Sequence, residues 1–359
     1  MRCRNGLRFG LVFLLLILLT ACDRPTQNIT AVKITADLEK HAITGLNDWE
    51  FTFEGPRLIE LQKVDYADRA AEAQLVIKAI NVQERTGAVG EAVAEYLYSE
   101  GAWRLNQVRA LSIEPMDRHY AARLAELVDF PLHLAANLGD RPGVAAALRQ
   151  GTSVDAPEAK KQSTALMFAA ERGFADIVET LVAKGADVNH RNAFGFSPLH
   201  AAVSGDHLAV AQYLVDHGAN VNGAETPGRT PLYLAAEREN LDMVRFLVDK
   251  GAEVNARSER GWTPLYAAAG NNALEIARYL LEHGAEVNLT TTAGTHSPLL
   301  TAAYHNHVEM VELLLTAGAD PRAQLSEIHR GYPNFTALDI ARRQENQAVV
   351  ELLEKELAQ

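Results

Sequence analysis

The pattern of apolar and polar positions changes near the middle of the 359-residue chain. Up to residue 115, several short segments alternate apolar with polar residues, as in residues 49–53 and 73–79, and this period of two predicts half-buried strands. After residue 129, apolar residues recur at three- and four-residue spacing, as in Ile177, Val178 and Leu181, which predicts amphipathic helices. Two regions with different secondary structure are therefore expected.

The first region, residues 30–115, is predicted to be a small α+β domain. Residues 30–42 have apolar positions at helical spacing, and further strands are predicted around Tyr96 and from Trp103 onward. A helix laid on an antiparallel sheet of four or five strands is the simplest arrangement of these elements.

The second region contains an internal repeat. A Gly-Ala pair recurs at steps of 33, 33, 33 and 34 residues, and a segment of Ser or Thr followed by Pro-Leu recurs in the same phase. The pairs begin at Gly185, Gly218, Gly251, Gly284 and Gly318, and the segments begin at Ser197, Thr230, Thr263 and Ser297. Ser or Thr caps the start of a helix, Pro fits its first turn, and Gly ends a helix in the left-handed conformation. Each unit therefore predicts two helices joined by turns.

This pattern resembles the ankyrin repeat. The resemblance covers residues 129–359 and implies an α-solenoid of about six to seven helix-turn-helix units with hairpin loops between them. Thr164 opens another clear unit, and weaker units that begin at Phe130 and Thr336 are expected to close the two ends of the stack. Residues 116–128 are predicted to form a linker with a capping helix.

The amino terminus has the layout of a secretory signal peptide. Three arginines precede the apolar run at residues 9–19, which is shorter than the roughly 20 residues that a membrane-spanning helix needs. The run leads to Cys22 in a segment that resembles a bacterial lipobox. This resemblance implies that residues 1–21 are removed, that Cys22 receives acyl chains such as palmitate, and that residues 22–29 form a tether.

The expected location follows from this lipid anchor. The chain is predicted to lie in the bacterial cell envelope, facing the periplasm, and to contact the membrane through Cys22. Asp23 beside the lipidated cysteine resembles an inner-membrane retention signal, with the outer membrane as the alternative. The other cysteine, Cys3, would leave with the signal peptide, so no disulfide is expected.

Charge and motifs exclude several function classes. The chain has 34 basic and 46 acidic residues and a net charge of -12, which argues against a nucleic-acid partner. It has no glycine-rich phosphate loop, nucleophile elbow, zinc motif or calcium loop, so no cofactor, metal or small-molecule ligand is predicted. His296, His305 and His307 fall in one repeat, but His307 occupies a position where ankyrin repeats use histidine structurally.

Candidate binding residues lie on the hairpin tips and first helices, the side with which ankyrin arrays commonly grip a protein. The tips carry arginines and aromatic residues, the types enriched at interface hot spots, whereas the second helices are mainly acidic. The predicted protein-binding residues are Arg191, Phe194, Phe196, Arg229, Arg257, Arg260, Trp262, Tyr304, Arg330 and Tyr332. The alternative is structural, with Phe196 or Trp262 covering a neighbouring repeat.

The favoured function is a non-catalytic protein-interaction module, an adaptor or scaffold whose protein partner is unknown. An alternative of the same class is an immunity or inhibitor protein that binds a secreted toxin or enzyme. The second class is an enzyme with its site in the α+β domain, and its candidate residues are Asp65, Asp68, Glu91, Glu95 and Tyr96. No triad, metal set or cofactor motif supports that class, so the chain is predicted not to be an enzyme.

Overall fold

The computed structural model describes residues 12–13, 57–66, 70–81, 86–99, 102–115, 127, 130–292, 296–324 and 335–358, with the backbone alone for the strands. The chain divides into two compact units, Met1–Glu158 and Ala159–Gln359. Several predicted elements lie outside the described residues: the signal peptide apart from residues 12–13, the helix at 30–42, the strand at 49–53 and the capping helix before Leu127. The predicted domain boundaries therefore stay predictions.

The first unit contains a five-stranded sheet whose strands are neighbours in sequence order. The strands are β1 (Val12–Phe13), β2 (Arg57–Tyr66), β3 (Ala70–Asn81), β4 (Thr86–Ser99) and β5 (Ala102–Pro115). β1 pairs with β2 in parallel, and the later neighbours pair antiparallel. The segments predicted as strands at 73–79, around Tyr96 and from Trp103 fall within β3, β4 and β5. Because the predicted helix lies outside the described residues, the small α+β domain itself stays a prediction.

The described part of the first unit also contains a helix pair, Pro131–Leu138 and Arg141–Arg149. The second helix begins at Asp140, whose carboxylate accepts a hydrogen bond from the Gly143 amide at 2.9 Å. Asp140 is only 1% exposed, and its other carboxyl oxygen has no hydrogen-bond partner among the described residues. Burial raises the pKa of Asp140 to about 6, against the lowering effect of the Gly143 hydrogen bond.

The second unit contains six helix pairs in its described part. With the pair of the first unit as repeat 1, repeats 2 to 7 are Ala165–Arg172 with Ala175–Ala183, Pro198–Ser204 with Leu208–Asp216, Pro231–Glu237 with Leu241–Asp249, Pro264–Gly270 with Leu274–Glu282, Pro298–Tyr304 with Val308–Thr316, and Ala337–Arg343 with Gln347–Leu357. In repeats 2 to 7, first helices pack against neighbouring first helices, and second helices against neighbouring second helices. This is the predicted solenoid. No helix in the described part of the chain is both long enough and apolar enough to cross a membrane.

The apolar side of each helix fills the space between repeats. Leu199 and Leu232 on first helices and Leu214 on a second helix are 0% exposed, and each contributes about 2 kcal/mol by burial. The alanine pairs of the first helices, such as Ala235 and Ala236, are also fully buried. Their small side chains leave room for neighbouring helices to approach closely, as the sequence predicted.

Hydroxyl caps begin most of the first helices. Ser197, Thr230, Thr263, Ser297 and Thr336 each accept a hydrogen bond from a backbone amide three residues later. Thr164 lies at the start of a first helix, as the predicted unit requires, but its side chain makes no such bond. Its hydroxyl is fully buried and has no hydrogen-bond partner among the described residues, so it caps nothing there.

Asparagine joints connect successive repeats. The Asn189 side-chain amide donates to the Gly218 carbonyl at 2.9 Å, and its oxygen accepts from the Asn220 amide at 2.8 Å. Three more asparagines make the same two bonds to the repeat that follows: Asn222, Asn255 and Asn288. The Val-Asn that follows four of the five Gly-Ala pairs in the sequence therefore provides a connection between repeats.

Candidate protein-binding surface

The hairpin tips that precede the first helices are hydrogen-bonded to one another. At the tip of repeat 3, the Asn192 amide donates to the Phe196 carbonyl at 3.0 Å and closes the hairpin. From tip to tip, backbone amides donate to carbonyls at 2.7 to 2.9 Å: Thr226 to Phe194, Glu259 to Pro227, and Thr292 to Arg260. We call this continuous structure of repeats 3 to 6 the tip row. Its backbone is fixed, because each tip is tied to the next.

Glycines permit this close approach. Gly261 has φ +78°, and a Cβ there would lie 2.4 Å from the Thr292 amide nitrogen of the next tip. Gly228 repeats the situation one tip earlier, with φ +87° and a distance of 2.8 Å to the Glu259 amide nitrogen. Both positions therefore require glycine for its backbone conformation and for its missing side chain.

Two of the predicted arginines hold neighbouring tips together. The Arg191 guanidinium donates to the Ala224 carbonyl, and the Arg257 guanidinium donates to the Thr290 carbonyl at 2.6 Å. Both side chains stay exposed. The sequence did not predict these structural hydrogen bonds. Because both guanidinium groups remain exposed, they are still available to a partner.

Arg229 is neutralised within the tip row. Its guanidinium bonds the carboxylate of Glu225 at 2.6 Å and that of Glu237 at 3.4 Å. Glu225 is only 6% exposed and pairs with Arg229 inside the hairpin, whereas Glu237 is the last residue of the first helix of repeat 4. Arg229 therefore adds little net charge to the surface.

Four rings from three repeats lie close to one another, and we call them the aromatic strip; Tyr233 is the buried member, with 5% of its surface exposed. Trp262, on the tip of repeat 5, lies 6.4 Å from Tyr233 and 6.1 Å from Tyr266, measured between ring centroids. The planes are nearly parallel, at 14° and 2°. His296 continues the strip edge-on, 6.5 Å from Tyr266. Trp262, Tyr266 and His296 are half-buried, so each ring presents part of its surface to solvent.

A cation sits on the aromatic strip. The exposed Arg260 guanidinium carbon lies 5.1 Å from the centre of the Trp262 ring, a cation–π distance. Burial, together with the nearby Glu237 carboxylate, raises the pKa of the Tyr233 phenol, so that ring stays neutral at physiological pH. The strip therefore combines apolar ring area with the Arg260 cation beside Trp262 and the Glu237 carboxylate beside Tyr233.

The other predicted aromatic residues differ in exposure. Phe194 is 52% exposed and Tyr304 is 48% exposed, so both present large apolar side chains to solvent. Phe196 is half-buried, with its ring 5.3 Å from that of His200 in the same repeat. Arg330 and Tyr332 lie outside the described residues.

Histidines of the array serve its internal structure. His200 is fully buried, bonding Ser197 at one ring nitrogen and facing the Arg229 carbonyl at the other. His207 and His307 place their Nε2 atoms 3.1 Å from the Glu171 and Gly270 carbonyls of earlier repeats. In the described part of the chain, no group of three or more His, Cys, Asp or Glu side chains is placed to hold a metal ion.

The enzyme alternative has its candidates in the first unit. Asp65 lies on β2, whereas Glu91, Glu95 and Tyr96 lie on β4. Asp68 lies outside the described residues. β3 separates β2 from β4 in the sheet, so Asp65 is not on a strand adjacent to the other three.

Sequence reasoning missed most of the aromatic strip. Of its four rings, only Trp262 was predicted as a binding residue. A signal was present, because Tyr233 and Tyr266 occupy the same position of the repeat, the fourth residue after two successive Thr-Pro-Leu segments begin. Residues at equivalent positions of neighbouring repeats lie side by side in a solenoid, so the recurrence of tyrosine predicts a row of rings.

Comparisons with known proteins agree with this architecture. Residues 132–225 and 222–291 match the family described as Ankyrin repeats (3 copies), and residues 296–324 match the Ankyrin repeat family. A solved structure, the crystal structure of human ASB11 ankyrin repeat domain, is 25% identical with a TM-score of 0.55, and the match covers 63% of this chain and 97% of that chain. The repeat period, the helix pairs and both family matches lead to one conclusion: the chain belongs to the ankyrin-repeat family.

Proposed function

We propose that this protein is a lipid-anchored protein-binding module of the bacterial cell envelope, and that it holds its partner with the tip row and the first helices. Ankyrin repeats imply a protein–protein interaction module. The observation that carries the location of the binding surface is the aromatic strip with Arg260 above it, since aromatic residues and arginine dominate interface hot spots.

The contrast between the two sides of the array supports the same surface. The exposed apolar side chains Phe194 and Tyr304 belong to a tip and to a first helix. The second helices instead present acidic residues that are exposed to solvent: Asp176, Glu179, Asp216, Glu275, Glu282, Glu309 and Glu312. Charged residues are depleted in the cores of interfaces, so the tip side suits a protein partner better than the acidic side does.

A capture experiment tests the binding surface. Residues 22–359 with Cys22→Ser are immobilised and exposed to envelope extract of the source bacterium, and retained proteins are identified by mass spectrometry. A triple variant with Phe194→Ala, Arg260→Ala and Tyr304→Ala removes exposed side chains of the proposed surface. The matched control replaces Glu179, Arg278 and Glu312 on the second helices with alanine.

The expected result is one dominant retained protein whose capture falls at least about tenfold with the tip-side variant and is unchanged with the control. Equal capture by both variants would refute this location of the binding surface. If the immobilised protein without the alanine substitutions retains no protein specifically, the protein-binding proposal is refuted.

The lipid anchor is tested separately. The apolar run at residues 9–19 and the small residues before Cys22 support lipidation, and Asp23 supports the inner membrane. Cells that express the full chain are labelled with radioactive palmitate. Label is expected on the wild-type protein and on the Cys3→Ser variant, and it is expected to be lost from Cys22→Ser. Label that persists in Cys22→Ser would refute the anchor.

A further inference from the structure

One of the four asparagine joints contains a chemically reactive pair of residues. Asn222, which joins repeat 3 to repeat 4, is followed by Gly223, whereas the other joint asparagines are followed by His190, Ala256 and Leu289. An asparagine loses its amide nitrogen when the backbone nitrogen of the next residue attacks its side-chain carbon. Glycine permits this approach best, because it has no Cβ and its backbone is the least restricted. The sequence contains one other Asn-Gly pair, at residues 5–6 in the predicted signal peptide.

The fold does not require glycine at position 223. Gly223 does not have a positive φ, and a Cβ there would come no closer than 3.4 Å to a neighbouring atom, the Asn220 carbonyl oxygen, which is ordinary van der Waals contact. Ala256 occupies the same place one repeat later. Gly223 therefore differs from Gly228 and Gly261 of the tip row, and alanine can replace it without strain.

The closed joint keeps the reacting atoms occupied. The Asn222 side-chain amide donates to the Gly251 carbonyl at 3.1 Å, and its oxygen accepts from the Glu253 amide at 2.8 Å. The Gly223 amide itself donates to the Asn220 carbonyl at 3.3 Å. For the attack, the Gly223 nitrogen must lose its proton and the Asn222 side chain must turn towards it, so these bonds must first break. Asn222 is only half-buried, so a local opening of the joint is sufficient.

We propose that Asn222 is a site of spontaneous deamidation and that the joint between repeats 3 and 4 controls its rate. The Gly223 nitrogen forms a bond to Cγ of Asn222, the bond from Cγ to Nδ2 breaks, and ammonia leaves with the proton that the Gly223 amide has lost. Water then opens the resulting succinimide ring and leaves aspartate or isoaspartate at position 222. Water is the only co-reactant.

The product cannot re-form the joint. A carboxylate has no hydrogen to donate, so the Gly251 carbonyl loses its donor and faces a negative charge instead. The Glu253 amide keeps its acceptor. The tip row crosses the same boundary through the bond from the Thr226 amide to the Phe194 carbonyl. Deamidation therefore loosens the array irreversibly between two repeats of the tip row.

Peptide mass spectrometry tests the site. Residues 22–359 with Cys22→Ser are incubated in mildly alkaline buffer with and without guanidinium chloride, and the mass change from NH2 to OH is followed at Asn222 and at Asn255. In the folded protein, Asn222 is expected to react at least about tenfold faster than Asn255, and at least about tenfold more slowly than it does in denaturant. Gly223→Ala is expected to lower the rate at Asn222 to that at Asn255 under both conditions.

A product mimic tests the consequence. Asn222→Asp is expected to lower the urea concentration at the midpoint of unfolding, because it removes the donor to the Gly251 carbonyl. The matched control, Asn220→Asp, adds the same charge two residues away. The Asn220 side chain accepts the Asn222 amide, a bond that Asp187 makes at the equivalent position, so the control is expected to leave the midpoint unchanged.

Equal rates at Asn222 and Asn255 in the folded protein would refute the site. Equal rates at Asn222 with and without denaturant would refute control by the joint, and equal urea midpoints of the two aspartate variants would refute the loss of the joint. None of these measurements needs a partner, so the inference is independent of the proposed function.

Discussion

His200 makes the stability of the array sensitive to acid. Its imidazole is 0% exposed, with Nδ1 accepting from the Ser197 amide at 3.2 Å and Nε2 lying 3.3 Å from the Arg229 carbonyl oxygen. This arrangement suits the neutral ring, in which Nε2 carries the proton and donates to the carbonyl. Burial lowers the pKa of His200 from 6.5 to about 4, and the positive charges of Arg191 and Arg229 add to the lowering.

The sign and size of the effect follow from these two values. Between pH 6.5 and about 4, the unfolded chain binds a proton at this position, whereas the folded chain does not. The contribution of the neutral His200 ring to the unfolding free energy is therefore fully present above pH 6.5, and it is lost as the pH falls towards 4. A difference of about 2.5 pKa units corresponds to about 3 kcal/mol of unfolding free energy, at roughly 1.4 kcal/mol per unit.

The assay is urea unfolding of the wild type and of His200→Tyr, followed by circular dichroism at several pH values across this window. Tyrosine is the matched substitution, because Tyr233 and Tyr266 occupy the equivalent position in repeats 4 and 5. The unfolding free energy of the wild type is expected to fall by about 3 kcal/mol relative to the variant between the top and the bottom of the window. Parallel pH profiles, or an NMR titration of the His200 ring with its midpoint near 6.5, would refute the reasoning.

Three further predictions concern single backbone or buried positions. Asp140→Asn keeps the cap and removes a buried charge, so it is expected to raise the unfolding free energy at neutral pH by about 3 kcal/mol and to give no gain below pH 3.8. Thermal unfolding at both pH values measures this, and equal gains would contradict the assigned pKa. Gly261→Ala is expected to lower the unfolding free energy by more than Gly251→Ala, which should cost roughly 1 kcal/mol. Both glycines have positive φ, but only a Cβ at Gly261 would meet the backbone of the next tip. Equal losses in urea titrations would show that this contact is relieved. Glu239→Gly is expected to raise the melting temperature by relieving a φ of +58°, worth about 1 kcal/mol, and a lower melting temperature would contradict this.

The sequence predicted the helices of the array well because their signals are local. A hydroxyl cap, a proline in the first turn and a terminal glycine act within a few residues, so Ser197 or Thr263 can be read directly as a helix start. Thr164 shows the limit of such signals. It has the cap residue and the right backbone conformation, but its hydroxyl makes no cap hydrogen bond, and that depends on side-chain rotation.

The binding surface was harder to predict because its contacts join residues about one repeat apart. Arg257 and Arg260 look alike in the sequence, and only the folded chain shows that one bonds the Thr290 carbonyl while the other lies over Trp262. Arg229 was predicted as a binding residue from its type, yet its charge is balanced by Glu225 and Glu237. Residue type therefore selects candidate tips, and three-dimensional contacts show which of their side chains are already engaged within the array.

The asparagine joints make the repeats exchangeable parts. Each joint uses the same side chain and the same two backbone groups, 29 and 31 residues further along for Asn222. Deleting the 33 residues 223–255 would bring the Gly284 carbonyl and the Glu286 amide to the same distances in sequence from Asn222, and so recreate the joint. Duplication or loss of whole units can therefore change the length of the array in evolution while the contacts between neighbouring repeats stay the same.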